Sequence, residues 1–187
     1  PVVLRDAARS GSAMRPGRPT RSDYEYVRNG TANIFCIVEL KTGRRLTHAT
    51  AQRTKCDFAR ALHRISKAYP KAKRIHLVAD NLSTHTEKAC IETFGLRRGR
   101  ALWRRFRLHF TPKHASWLNA AEMEASLVAR QCLGKRRIPD LAALCQQVRA
   151  WRRVATFQGS SIRWRFRVAD ARRVFRYDSL VFRRSEH

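Results

Sequence analysis

The chain has 187 residues, with 40 Lys and Arg against 14 Asp and Glu, a formal charge of +26. Hydrophobic residues, at 43%, suffice for one buried core, and aromatics spread along the chain exclude a disordered polyelectrolyte. No apolar run approaches the roughly 18 residues of a membrane helix, no signal-peptide order opens the sequence, and Cys36, Cys56, Cys90, Cys132 and Cys145 form no C-x-x-C pair. Reduced thiols in a cytosolic protein are therefore expected, with neither a disulfide framework nor a zinc site.

Residues 1–30, punctuated by Gly11, Pro16, Gly17 and Pro19, read as an irregular basic arm. Asn33–Leu40 is β-branched and aromatic, and Arg44–Thr50 follows a Lys41-Thr42-Gly43 turn, so a hairpin is predicted. Thr54 should cap a helix in which Phe58, Leu62, Ile65 and Tyr69 recur until Pro70. Arg74–Ala79 is almost continuously apolar, the pattern of a strand buried on both faces, and it ends in Asp80-Asn81. A helix is expected from Thr86 to Phe94. Residues 97–107 are basic with interleaved aromatics and lead into a strand near Arg107–Phe110. Helices should then run from Ser116 to about Cys132, and beyond Pro139 through Leu141, Leu144, Val148 and Trp151. Residues 31–155 form the expected core, and 156–187 a basic tail packed on or beside it. The alternation is that of an α/β protein.

A charge this large repels itself unless a polyanion neutralises it, and Arg greatly outnumbers Lys, as suits phosphate recognition. Nucleic acid is the leading partner; a membrane is not. Among the few acids, Asp80 stands out because open α/β sheets place ligands at the carboxyl ends of their strands. Glu122 falls within an apolar stripe of Leu118, Ala121, Ala125, Val128, Ala129 and Cys132, so it is expected to face the core, whereas Glu124 is expected to face solvent. A buried Glu122 needs a partner, either a divalent cation shared with Asp80 or an arginine. Ser116 is the expected N-cap of its helix.

Val78-Ala-Asp-Asn-Leu-Ser-Thr-His85 and Phe110-Thr-Pro-Lys-His-Ala-Ser-Trp-Leu-Asn-Ala-Ala-Glu122 resemble the catalytic domain of DDE transposases, in the bacterial insertion-sequence branch related to the mariner superfamily. Pro16-Gly-Arg-Pro19, Tyr24–Gly30, Arg130-Gln-Cys-Leu133, Arg137-Ile-Pro-Asp140 and Trp164–Arg172 extend the resemblance over nearly the whole chain. It implies an RNase H-like fold, with a mixed central sheet flanked by helices. It also implies DNA cleavage and joining in transposition by phosphoryl transfer on two Mg²⁺ or Mn²⁺ ions, with Asp80 and Glu122 as catalytic metal ligands. Transposon ends and target DNA would be the partners, a homodimer is compatible, and the setting would be the bacterial cytoplasm and nucleoid. Asn81, His85, Lys113, His114 and Asn119 would orient the carboxylates or position phosphate. Arg104, Arg105, Arg107, Arg163, Arg165 and Arg167 would bind DNA.

The first catalytic Asp of that family has no good match here. Asp6, in Pro1-Val-Val-Leu-Arg-Asp6, lacks the expected surroundings, so the first strand reads as truncated or missing. Two alternatives follow: a non-catalytic DNA-binding remnant, or a generic RNase H-like nuclease, against which the Leu-Asn-x-x-Glu stretch speaks.

Overall fold

The strands form where the β-branched and aromatic stretches lie. In the computed structural model, which describes residues 1–8, 25–111, 120–159, 167, 169, 170 and 173, strand β2 (Tyr26–Phe35) is flanked by two antiparallel neighbours. They are β1 (Val2–Ala7) and β3 (His48–Thr50). The predicted hairpin is present, with Asn33 opposite Thr50, Phe35 opposite His48 and a further bridge from Val38 to Arg45. The irregular arm is corrected at both of its described ends. Val2–Ala7 and Tyr26–Gly30 are paired strands because Leu4 finds a buried place against Ala32, Val128 and Ile138.

Helix α1 (Lys55–Ala68) begins at Thr54, as expected, in a reciprocal cap. The Asp57 N–H donates to the Thr54 hydroxyl at 3.3 Å, and the Asp57 carboxylate accepts from the Thr54 N–H at 2.9 Å. Strand β4 (Ile75–Ala79) follows, then α2 (Glu87–Phe94), which Thr86 caps. An unpredicted helix, α3 (Leu96–Trp103), joins α2 through Gly95 at a φ of 80°. Its basic residues conceal a helix that reaches its neighbour through Gly99. A Cβ there would lie 2.6 Å from the main chain of Cys90. Strand β5 (Phe106–Phe110) pairs parallel with β4, Ile75 opposite Phe106 and Ala79 opposite Phe110.

Helix α4 (Ala120–Leu127) runs on as a π-helical turn, Val128–Leu133, and Asp140 caps α5 (Leu141–Phe157). One apolar cluster gathers Phe58, Leu62 and Ile65 of α1 with Cys90, Leu102 and Phe106. A second gathers Leu4, Ala32, Val128, Cys132, Leu144 and Val148. The fold is α/β, but the single mixed sheet expected from the sequence is not seen among the described residues. Their strands form a three-stranded antiparallel sheet and a separate two-stranded parallel one. The expectation that β4 is buried on both faces is corrected as well. Val78 is 50% exposed and His76 is exposed, so the face that these two share lies open among the described residues.

Candidate active site

Asp80 stands directly after β4, and Glu122 projects from the first turn of α4. Both line one cavity of about 470 Å³, together with Arg53, Thr54 and His85. Asp80 keeps a side chain 49% exposed, as suits a group that meets a ligand from solvent. His85 braces its loop. The imidazole Nδ1–H donates to the Asp80 carbonyl at 2.8 Å and lies 3.4 Å from the Asp80 carboxylate, while its ring stacks on Phe58 at 4.1 Å. Arg53 is exposed at the mouth, where a cation can meet phosphate.

The two acids of α4 exchange the places that their polarity predicts. Glu122 is exposed on the cavity face with Ala121 and Ala125. Glu124 is fully buried and meets Arg45, Nε to Oε1 at 2.6 Å. The buried line of the helix is Ala120, Glu124, Val128 and Cys132, a four-residue stagger that continues into the π-helical turn. That stagger is the one signal by which the sequence could have located the ion pair. Burial pushes the Cys36 thiol up to about 12 and that of Cys90 to about 11. All five cysteines are free.

Asn81 is exposed and does not line the cavity. Asp6 lies on β1 opposite Val27, with its carboxylate accepting from the Ala7 N–H, and is not brought to the cavity either. Lys113, His114, Ser116 and Asn119 lie outside the described residues, as do Arg163 and Arg165. Of the arginines expected on DNA, Arg104, Arg107 and Arg167 are exposed. Arg105 is corrected: its guanidinium donates to the carbonyls of Ser66, Tyr69 and Ala72 and closes the end of α1. Bonded to three main-chain carbonyls, the fork ties the strand after α3 to the end of α1.

The carboxylates supply hard oxygen donors of the kind that Mg²⁺ and Mn²⁺ take. Yet no group of three or more His, Cys, Asp or Glu among the described residues could hold an ion. The described donors thus fall short of a full ligand set.

Two carboxylates brought by different elements thus line one cavity on a strongly cationic chain. A family model, DDE superfamily endonuclease, matches residues 3–145. The chain belongs to that family, whose members act on DNA and generally use divalent metals. Comparison with curated proteins and with solved structures finds no match. No helix among the described residues is long and apolar enough to cross a membrane.

Proposed function

We propose that this chain is the catalytic core of a DNA transposase, with an RNase H-like layout and of the insertion-sequence branch related to the mariner superfamily. Its work is cleavage and joining of DNA strands at transposon ends. The observation that carries this reading is that Asp80 and Glu122 line one cavity. In it, Asp80 and Glu122 would contribute oxygen ligands to a divalent ion, which would supply the positive charge that the reacting phosphate needs, Arg53 neutralises phosphate beside them, and His85 holds the Asp80 loop in place. Arg104, Arg107 and Arg167 hold the DNA backbone from exposed positions.

Nicking of supercoiled plasmid in Mg²⁺ or Mn²⁺ tests the reading, with Asp80→Asn and Glu122→Gln abolishing it. A second reading, DNA binding without cleavage, draws on the shortage of metal donors among the described residues. Salt-sensitive DNA binding with no nicking in either metal would establish it instead.

A further inference from the structure

Strands β4 and β5 run parallel, with His76 opposite Arg107 and Val78 opposite His109. By the alternation of side chains along a strand these residues share one face, and all of them are exposed. His76 and His109 therefore sit on a diagonal of the ladder, and their rings meet across it. Nδ1 of His76 lies 3.0 Å from Nε2 of His109, with the ring planes 13° apart. At that distance one nitrogen carries a proton and the other offers its lone pair.

The ladder fixes both side chains on neighbouring strands, so an ion that takes one nitrogen finds the second already placed. Imidazole nitrogen binds a first-row divalent ion at about 2.0–2.1 Å, and nitrogens 3.0 Å apart then subtend about 94° at the ion. Tetrahedral ligands at that bond length would stand about 3.3 Å apart, so the spacing is that of cis ligands in a square plane. Nitrogen sites of that shape select Cu²⁺ and Ni²⁺ over Zn²⁺, and imidazole suits none of the hard ions such as Mg²⁺. The ring torsion of histidine is soft and both rings are exposed, so each can swing its lone pair from its neighbour to the ion.

We propose that His76 and His109 chelate a divalent ion of the Cu²⁺ and Ni²⁺ class, which clasps β4 to β5, with water in the positions left over. The proton between the rings moves through solvent to the outward nitrogen of its own ring. Each bound ring then keeps one proton, on Nε2 of His76 and on Nδ1 of His109, and none is lost. Arg107, directly opposite His76, repels the ion and limits its affinity. The clasp closes the strand that ends at Asp80, but it draws on no acid of the cavity and does not rest on the transposase reading.

The probe is Ni²⁺, added to the full chain at about pH 8, where imidazole is neutral, since Cu²⁺ would oxidise the free cysteines. Saturable binding is expected, with a raised melting temperature. His76→Ala and His109→Ala should each weaken it at least about tenfold at unchanged far-UV circular dichroism, because either one breaks the chelate. The double variant should bind no worse than either single one. His63→Ala, which removes an exposed histidine elsewhere, should bind as the native chain does. The proposal is overturned if either single variant binds Ni²⁺ undiminished, or if Zn²⁺ binds more tightly than Ni²⁺. Loss of binding in Asp80→Asn, with both histidines in place, would put the ion in the acid-lined cavity and overturn it too. Plasmid nicking is not a readout here, so the failure of either proposal leaves the other standing.

Discussion

Arg45 and Glu124 form a buried ion pair, 2.6 Å from Nε to Oε1, that fastens the hairpin to the helix carrying Glu122. Arg45 also donates through Nη1 to the Ala155 carbonyl at 2.8 Å and the Gly43 carbonyl at 3.0 Å, so one guanidinium ties the hairpin, α4 and the end of α5. The second carboxylate oxygen of Glu124, Oε2, has no hydrogen-bond partner among the described residues. With one residue between them, Glu124 held inward leaves Glu122 on the cavity side of the helix.

Glu124→Ala should therefore lower stability by about 3–5 kcal/mol in urea unfolding, because it strands a buried guanidinium. Replacing both partners with apolar residues of similar volume, Arg45→Met with Glu124→Leu, should recover most of that loss. Equal losses in the single and double variants would show that the pair is not the source.

The cavity acids should behave oppositely. Asp80 is half-exposed and Glu122 exposed, so Asp80→Asn and Glu122→Gln should change stability by no more than about 0.5 kcal/mol. Nicking should nevertheless fall at least about a hundredfold, the scale on which a transition-state contact acts. Asp6→Asn, remote from the cavity, should leave it unchanged.

Binding to duplex DNA should be dominated by charge. If about six phosphates are contacted, the log–log slope against salt is roughly −5, a loss of about a thousandfold between 50 and 200 mM. Arg107→Ala should flatten that slope by about one, whereas Arg105→Ala should mainly lower thermal stability, since its fork holds the end of α1. Titration at four salt concentrations measures both.

Gly99→Ala forces a methyl group against the Cys90 main chain at 2.6 Å, and neither helix backbone can yield without separating α2 from α3. A loss of about 1–3 kcal/mol is expected in thermal or urea unfolding.

Stability should form a plateau in pH. Burial and, less strongly, the charges of Arg64 and Arg152 lower His48 from its ordinary 6.5, against a backbone hydrogen bond that raises it. The unfolded chain thus takes up a proton first, and stability falls as pH drops below about 6.5. Burial, then the charge of Glu124, raises Cys36 from 9.0 to about 12. The unfolded chain loses that proton first, so stability falls again as pH rises between 9.0 and about 12. Replacing Cys36 with Ser should soften the alkaline limb without moving the acid one.

What the sequence determined by itself is local. Thr54 with Asp57, Thr86 and Asp140 mark helix starts through short-range hydrogen bonds, and all three caps form. The β-branched run Asn33–Leu40 makes its hairpin, and Asp80 ends its strand because the apolar run stops there. The tertiary structure decided which acid of α4 is buried, for the stagger through Ala120, Val128 and Cys132 competes in the sequence with the stripe through Ala121 and Ala125. A carboxylate is driven outward by desolvation unless a cation waits inside, and Arg45 comes from a hairpin distant in sequence. The same holds for Arg105, whose charge announced DNA while the carbonyls ending α1 claimed it. It holds equally for β4, whose apolar run forecast burial on both faces while the face of His76 and Val78 is left open among the described residues.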